Sequence, residues 1–286
     1  MFRAIAGFSE RCSEWLAGDC VTGLVPTMGA LHDGHRRLIE RARAECDRVA
    51  VTVFVNPLQF GAGEDFEAYP RGLLRDVELC RAAGADAVFA PDAGAMYGAD
   101  FCSRIAVGAA AAGMEGAVRP GHFEGVATVV AKLLAIARPQ RAYFGEKDAQ
   151  QLAVIRRLVD DLGFATAIVP CAIVREPDGL AMSSRNVYLE PGDRAAATVL
   201  WRSLQRASAA FAAGERDRDA LLGLARAELA AEPRAAVDYV ELRRENDLAA
   251  LPPGPIAGGR MLLAVRFVAG ERPVRLIDNL ALASGS

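Results

Sequence analysis

The sequence predicts an α/β fold: a Rossmann-like parallel sheet with helices on both faces, followed by a smaller α+β C-terminal domain. Through the first 174 residues, short apolar runs alternate with amphipathic stretches, which is the pattern of parallel strands joined by helices. After residue 175, two Ala-rich helical stretches are followed by three strand-like stretches, an order typical of a small α+β unit. We therefore expect one domain over residues 1–174 and a second over residues 175–286.

The predicted elements follow from length and periodicity. The strands are short apolar runs, and the helices have apolar residues at spacings of three and four. In the first domain the strands are predicted at 21–25, 49–55, 87–90, 141–144 and 167–174, and the helices at 34–46, 73–83, 125–137 and 149–162. In the second domain the helices are predicted at 195–213 and 218–231, and the strands at 237–243, 261–268 and 274–282.

Composition and charge indicate a globular protein and exclude several functional classes. Apolar residues make up 52% of the chain and charged residues 24%, and the net charge of −3 is unlike a nucleic-acid-binding surface. No apolar run approaches the roughly 18 residues of a membrane helix, and Arg3, Glu10 and Arg11 interrupt what would be a signal peptide. Six cysteines without a Cys-x-x-Cys pair favour buried, reduced thiols in a cytoplasmic protein.

The segment Pro26–His35 (PTMGALHDGH) is the most informative motif of the chain. It follows the first predicted strand and contains two of only three histidines, His32 and His35, at the start of a predicted helix. Backbone N–H groups and the helix dipole at such a strand–loop–helix junction favour phosphate binding, and both imidazoles can donate to phosphate oxygens. From the spacing alone, a helix N-terminus with two surface histidines is an equally good interpretation.

A second polar cluster follows the fourth predicted strand. It runs from Gly145 to Asp148 and includes Lys147, one of only two lysines in a chain whose other basic residues are arginines. A compact ammonium acts on phosphate as a point charge, in a way that a guanidinium does not reproduce. Asp148 could accept from ribose hydroxyls or cap the following helix, and Gln151 lies on that helix's first turn.

Three further polar segments are weaker signals when each is taken alone. Gln59 could offer an amide to a small polar substrate, although a loop cap is the better interpretation. The stretch Met182–Arg185 carries two hydroxyls and a guanidinium suited to a triphosphate, although an ordinary interdomain linker is the better interpretation of it alone. His122 could line a site, but a structural or dimer-contact role is favoured.

In this order, the motifs together resemble the pantoate–β-alanine ligase family. The matching stretches are 26–35, 56–60, 69–71, 119–125, 143–151 and 175–189. This family belongs to the nucleotidyltransferase-like superfamily, which includes class I aminoacyl-tRNA synthetases. His32–His35 is similar to the HIGH signature of that superfamily, and Met182–Arg185 is similar to a variant of its KMSKS loop.

The resemblance implies a two-step reaction. The carboxylate of pantoate attacks the α-phosphate of ATP to give pantoyl adenylate and pyrophosphate, and the amine of β-alanine then gives pantothenate and AMP. Small molecules would be the only substrates, Mg²⁺ would accompany ATP, the protein would be a homodimer, and the C-terminal domain would close over the active site.

The same resemblance assigns roles by position. The catalytic residues would be His35, His32, Lys147, Ser183 and Arg185. ATP would contact Met28, Gly29, Ala30, Leu31, His32, Asp33, Gly34, His35, Gly145, Glu146, Lys147, Asp148, Val174, Met182, Ser183, Ser184 and Arg185. Gln59 would bind pantoate and β-alanine, and Gln151 would bind pantoate.

Two positions depart from the family pattern. Where family members often carry consecutive acidic residues, this chain has Leu74, Arg75 and Asp76, so Asp76 is the remaining candidate metal ligand and Mg²⁺ is expected to be held mostly by ATP oxygens. Ala149 stands where an aromatic residue is common, which predicts looser packing beside Gln151.

Other classes of function remain open at this point. An adenylyltransferase of the same superfamily would leave the adenylyl group on its product. A tRNA synthetase is disfavoured by the acidic balance and the missing anticodon-sized extension. A nucleotide-binding regulator without catalysis is opposed by the joint presence of His32, His35, Lys147 and Arg185.

Overall fold

A computed structural model describes residues 1–267 and 273–283 and divides the chain into two compact units. The N-terminal unit contains Met1–Glu146 and Gln150–Ala172, and the C-terminal unit contains Lys147–Ala149 and the chain from Ile173 onward. The main break lies two residues before the boundary predicted at residue 174. The short segment Lys147–Ala149 groups with the C-terminal unit although its neighbours in sequence do not.

The N-terminal unit is built on a five-stranded sheet whose strands all pair in parallel, as predicted. The strands are β1 (Thr22–Thr27), β2 (Arg48–Val53), β3 (Ala87–Phe89), β4 (Arg141–Gly145) and β5 (Ala167–Cys171). Their order is β3-β2-β1-β4-β5, so the direction of winding reverses between β1 and β4. In such sheets, ligands bind beyond the carboxyl ends of the strands at that reversal.

Helices cover both faces of this sheet. They are α1 (Ile5–Ala17), α2 (Asp33–Glu45), α3 (Leu73–Ala82), α4 (Ala93–Met96), α5 (Met114–Val118), α6 (His122–Ala137) and α7 (Ala149–Leu162). Alternate strand residues join different apolar cores, since successive side chains of a strand point to opposite faces. Leu24 packs in a core with residues of α1, α6 and α7, whereas Val25 packs in a core with residues of α2 and α3.

The C-terminal unit has its own core beneath a small antiparallel sheet. Its elements are α8 (Pro191–Ala196), α9 (Val199–Ala212), α10 (Arg218–Ala230), β6 (Ala235–Arg243), β7 (Gly259–Phe267) and β8 (Val274–Leu282). The strand order is β6-β7-β8, and the central strand β7 is almost wholly buried. Buried side chains of the helices, such as Leu204, Phe211 and Leu221, complete this core.

Several predictions of the individual elements were wrong. Helices α1, α4 and α5 were not predicted, and α6 begins at His122, three residues earlier than expected. The predicted helix at 195–213 is two helices, separated at residues 197–198. The predicted strand at 167–174 ends at Cys171, and residue 268 of another predicted strand lies outside the described residues.

The expectation of buried thiols holds for most of the cysteines. Cys12, Cys46, Cys80 and Cys171 are buried, whereas Cys102 is exposed. Burial raises the pKa of Cys12 to about 11 and that of Cys80 to about 12, so these thiols are poor nucleophiles. Within residues 1–267 and 273–283, no helix has the length and apolar character needed to cross a membrane.

Candidate active site

The loop after β1 has a left-handed backbone that a buried carboxylate holds in place. Gly29 and Ala30 have φ angles of 88° and 50°. The Oδ2 atom of Asp76 accepts from the N–H of Ala30 at 3.0 Å, and its Oδ1 atom accepts from the N–H of Leu31 at 2.8 Å. A Cβ atom on Gly29 would lie 3.0 Å from Asp76 Oδ2 and 3.2 Å from a methyl of Val53, so glycine is required by both conformation and space.

The two histidines of this loop cap the start of α2. The Nδ1 atom of His32, the N-cap residue, accepts from the N–H of Gly34 at 3.1 Å, and the Nδ1 atom of His35 accepts from the N–H of His32 at 3.3 Å. An Nδ1 atom that accepts a hydrogen bond leaves the proton of a neutral imidazole on Nε2. Both rings therefore carry an Nε2–H donor, and their centroids are only 4.2 Å apart.

These contacts give Asp76 a structural role that the sequence did not predict. Its side chain is 2% exposed, and each of its oxygens is already engaged by a backbone N–H group. Over the part of the chain that the structure describes, no group of three or more His, Cys, Asp or Glu residues is arranged to hold a metal ion. The geometry favours Asp76 as the anchor of the loop after β1 over Asp76 as a metal ligand.

Replacing Asp76 with asparagine should destabilise this loop. An amide keeps one acceptor and presents an NH₂ group to a backbone donor, so the free energy of unfolding should fall by about 1–3 kcal/mol. Urea unfolding measures this loss, and calorimetric titration with ATP measures the accompanying loss of affinity. The exposed Glu78→Gln change on the same helix is the control and should alter neither quantity. Wild-type stability and ATP affinity in Asp76→Asn would contradict the anchoring role.

Gln59 lies beside the loop after β1, in a short 3-10 turn over Pro57–Gln59. Its Nε2 atom donates to the sulfur of Met28 at 3.0 Å, and its Oε1 atom accepts from Nδ2 of Asn56 at 3.0 Å. The buried amide of Asn56 is held in turn by the hydroxyl of Tyr97, which donates to Oδ1 at 2.7 Å. The structure thus brings together Met28 and Gln59, which the sequence places on separate motifs.

A partly buried charged cluster fixes the backbone of this turn. The guanidinium of Arg119 binds the carboxylate of Glu64 at 2.6 and 2.8 Å, and it also donates to Nε2 of His122 at 3.2 Å. Nδ1 of His122 donates to the carbonyl oxygen of Gln59 at 2.9 Å. These two bonds require a neutral ring, with its proton on Nδ1. The contacts agree with the structural role favoured for His122.

Protonation of His122 should weaken the fold at acidic pH. Burial, followed by the positive charge of Arg119, lowers the pKa of His122 to about 4, against the opposing effects of Gln59, Glu115 and Glu64. In the unfolded chain this imidazole is protonated below about pH 6.5, whereas in the folded chain it stays neutral down to about pH 4. The free energy of unfolding therefore decreases as the pH falls from about 6.5 to about 4. The loss should reach about 3 kcal/mol.

The pH profile of urea unfolding measures this effect. The His122→Gln variant cannot take up the proton and should have a flatter stability profile between pH 6.5 and pH 4 than the wild type. Parallel profiles for the two proteins would show that His122 is not the group responsible.

The segment after β4 contains two adjacent glutamines with different environments. Gln150 is 3% exposed, its Oε1 atom accepts from the N–H of Glu115 at 2.9 Å, and its Nε2 atom donates to three backbone carbonyls. Gln151 is half-buried on the first turn of α7. Gln150 is therefore a structural residue, and Gln151 is the member of the pair with a side chain accessible to solvent.

In the C-terminal unit, a hairpin brings two of the predicted ATP contacts together. The N–H of Met182 donates to the carbonyl of Val174 at 2.9 Å, and the turn between them passes through Gly179 with a φ of 92°. Ser183 then caps a 3-10 turn over Ser184–Tyr188, since its hydroxyl accepts from the N–H of Arg185 at 3.2 Å. The predicted residues 182–185 are thus held on a defined turn.

The base of this hairpin is fixed by a buried ion pair that the sequence did not reveal. Arg175 donates to both oxygens of Asp278, at 2.6 and 3.0 Å, and its guanidinium stacks 3.8 Å from the ring centre of Trp201. Asp278 and Asn279 are consecutive polar residues inside strand β8, which is otherwise apolar apart from Arg275, and both are buried. Two polar residues at adjacent positions of a strand were a signal that could have found this pair.

Fold and site together define a class of protein. The parallel sheet reverses its order beside β1, and the loop that follows β1 enters α2 with backbone N–H groups and two Nε2–H donors at its start. This is the arrangement of a nucleotide-binding α/β protein of the Rossmann-like class.

Comparison with known proteins identifies the family. The family model for pantoate-beta-alanine ligase matches residues 1–281, and the chain belongs to this family. A pantothenate synthetase from Roseiflexus sp. strain RS-1 is 54% identical over 280 residues, which cover 98% of this chain and 99% of that protein. The protein of the same name from Deinococcus radiodurans is 52% identical over 269 residues, or 92% of this chain and 94% of the relative.

Solved structures agree with the sequence relatives. The crystal structure of pantothenate synthetase from Thermus thermophilus superposes with a TM-score of 0.91 at 46% identity, covering 99% of this chain and 100% of the other. The pantoate-beta-alanine ligase from Francisella tularensis, crystallised with beta-gamma ATP and beta-alanine, has a TM-score of 0.80 at 33% identity, covering 100% of this chain and 99% of the other. The predicted fold class and family are confirmed.

Proposed function

We propose that this protein joins pantoate to β-alanine at the expense of ATP, through a pantoyl-adenylate intermediate, to give pantothenate, AMP and pyrophosphate. The observation that carries the proposal is the position of Gln59. Its side-chain amide, which suits a polar substrate, is held beside the loop after β1, where phosphate is expected to bind. Family membership over residues 1–281 and the ATP and β-alanine complex of the Francisella relative support it.

The N-terminal unit would supply the nucleotide and pantoate sites. At the start of α2, His32 and His35 offer Nε2–H donors to phosphate oxygens, beside the positive end of the helix dipole. The N–H groups of Ala30 and Leu31 are used to hold the loop on Asp76. Because Asp76 fixes the loop in advance, these donors need no reorganisation when charge develops on the α-phosphate. Gly145 and Glu146 would also contact ATP, while Gln59 and Gln151 would hold pantoate, with Gln59 also near β-alanine.

The C-terminal unit would supply cations and hydroxyls to the same nucleotide. Lys147 and Arg185 would offset the repulsion between the pantoate carboxylate and the triphosphate as they are brought together. Ser183 and Ser184 would donate to phosphate oxygens, and Asp148, Val174 and Met182 would contact the nucleoside. No covalent intermediate with the enzyme is required, so the acyl adenylate would be held only by non-covalent contacts. Closure of the C-terminal domain would keep water from hydrolysing it.

Three attributes of the protein complete the proposal. Mg²⁺ would enter with ATP and be held by its phosphate oxygens, in line with the engagement of both Asp76 oxygens by the loop backbone. The protein would be a homodimer, as the resemblance implies, and would be cytoplasmic, as its cysteine pattern favours. Light scattering on the purified protein tests the dimer.

Product analysis tests the activity. The purified protein is incubated with ATP, Mg²⁺ and pantoate, with and without β-alanine. Pantothenate and AMP formed only when β-alanine is present would establish the ligase and its adenylate route. A product that keeps its adenylyl group in the presence of β-alanine would show that the protein is an adenylyltransferase. If ATP is not consumed, the protein would instead be a nucleotide-binding regulator without catalytic activity.

A further inference from the structure

We propose that Asn279 is a positioning residue for Lys147, so that strand β8 of the C-terminal unit sets the cation used in adenylate formation. This inference rests on the proposed function, because it concerns the amine that acts on the α-phosphate. The contact on which it rests lies within the C-terminal unit, because Lys147–Ala149 and the chain from Ile173 onward belong to the same compact unit.

The side chain of Asn279 holds the main chain of Lys147. The Nδ2 atom of Asn279 donates to the carbonyl oxygen of Lys147 at 2.9 Å, across 132 positions of sequence. Asn279 is 1% exposed, so the donor of this bond is shielded from competing water. An amide that is buried and bonded to a carbonyl restrains the peptide from which the Lys147 side chain extends.

Arg260 fixes which end of the Asn279 amide faces Lys147. The Nη1 atom of Arg260 donates to Oδ1 of Asn279 at 2.5 Å, while the same guanidinium is tied to Glu245. Because a guanidinium only donates, it must meet the oxygen of the amide, and the NH₂ group is left on the side of the Lys147 carbonyl. The orientation of the amide is therefore determined by Arg260 on β7 and, through it, by Glu245 in the loop after β6.

Asp278 completes the surroundings with a buried carboxyl group. Burial raises the pKa of Asp278, and the positive charges of Arg175 and Lys147 oppose that rise. The ammonium of Lys147 therefore interacts electrostatically with Asp278. Asp278 is the neighbour in sequence of Asn279, which binds the backbone of Lys147. Oδ1 of Asp278 also accepts from the N–H of Asn279 at 2.8 Å, which stiffens the pair.

The placement of Lys147 explains why such an anchor has consequences for rate. Lys147 lies in a 3-10 turn of three residues between β4 and α7, and a long side chain amplifies any rotation of its peptide. Misplacement of a reacting group by about 1 Å can cost roughly 100-fold in rate, even when the substitution is remote from the chemistry. The loss should fall on kcat for adenylate formation rather than on the KM for pantoate.

Asn279→Asp is the decisive variant, because it keeps the acceptor for Arg260 and removes the donor to Lys147. Pyrophosphate release from ATP and pantoate should slow by roughly 10- to 100-fold, while the KM for pantoate changes by less than about twofold. Asn279→Ala, which adds no charge, should produce a loss of the same order. The control is Asp193→Ala, which breaks the ion pair of buried Asp193 with exposed Arg234 in the same unit and should leave the rate unchanged.

A second readout separates positioning from a general effect on the fold. ATP affinity is measured by calorimetry for Asn279→Asp in the wild-type and in the Lys147→Ala backgrounds. If Asn279 acts through Lys147, the change weakens ATP binding in the first background and has no further effect in the second. A wild-type rate in Asn279→Asp, or an equal loss of ATP affinity in both backgrounds, would overturn the inference.

A failure of this inference can be distinguished from a failure of the proposed function. If wild-type protein forms pantothenate and Lys147→Ala does not, while Asn279→Asp behaves as wild type, then Asn279 has no positioning role and the ligase proposal stands. If wild-type protein forms no pantothenate, the ligase proposal itself fails.

Discussion

Replacing Lys147 with alanine should abolish adenylate formation and leave the fold intact. The residue is half-buried in a short turn and belongs to none of the described apolar cores, so little packing is lost with its side chain. Removal of one preorganised charge from a phosphate site should lower kcat by about 100- to 1000-fold. The measurement is pyrophosphate release from ATP in the presence of pantoate, together with the thermal unfolding temperature.

The chain provides a matched control for this experiment. Lys132, the only other lysine, lies on α6 with its ammonium 5.3 Å from the ring centre of Phe101 and 6.0 Å from that of Tyr97. Lys132→Ala should cost a cation–π contact of about 0.5–1 kcal/mol without a comparable loss of rate. A Lys147→Ala enzyme that retains its rate to within a few-fold would remove Lys147 from the mechanism.

Replacing Gly125 with alanine should both destabilise the protein and impair pantoate binding. A Cβ atom at this position of α6 would lie 2.1 Å from the carbonyl oxygen of Leu58 and 2.6 Å from the backbone nitrogen of Gln59. The turn that carries Gln59 would have to move away from the helix, and Asn56 would lose its bond to the carbonyl of Gly125. Overpacking of this kind costs about 1–3 kcal/mol or more, and the KM for pantoate should rise with it.

Urea unfolding and steady-state kinetics with varied pantoate measure the two effects of Gly125→Ala. The control is Gly223→Ala on α10, where a Cβ atom would meet no other atom within 4 Å. That change should stabilise the helix by up to about 1 kcal/mol through its higher helix propensity. Unaltered stability and pantoate KM in Gly125→Ala would mean that the Gln59 turn tolerates displacement from α6.

Local sequence determined the parts of the fold that could be predicted. The strands near residues 22 and 48 were predicted within a few residues because their apolar runs are bounded by polar turns. The helix at Ala149–Leu162 was predicted with the observed bounds, since its periodicity is strong. In α1, Phe8, Cys12 and Trp15 follow the same helical spacing, so its signal was present and was overlooked. The break between α8 and α9 gave no signal, because neither Ala197 nor Thr198 is a glycine or a proline.

The candidate site was predictable only where its parts are contiguous. His32 and His35 were found as a pair because they share one short motif. The anchoring contacts of Asp76 were not predicted because its partners, the N–H groups of Ala30 and Leu31, lie about 45 residues away and donate from the backbone, which leaves no trace in side-chain patterns. The Arg175–Asp278 pair spans 103 residues and was missed because its two members are so far apart in sequence.

The grouping of Lys147–Ala149 with the C-terminal unit affects the design of chimeras between this protein and its relatives. A chimera cut at residues 172–173, with a relative's C-terminal part attached, would retain the native Lys147 but replace the Asn279 that holds its carbonyl. The exchangeable module is therefore discontinuous in sequence: Lys147–Ala149, at the junction of β4 and α7, belong with the chain from Ile173 onward. Chimeras that exchange both segments together should keep Lys147 and Asn279 from the same parent protein. In chimeras with a single crossover, the bond to Lys147 depends on the residue that the other parent supplies at position 279.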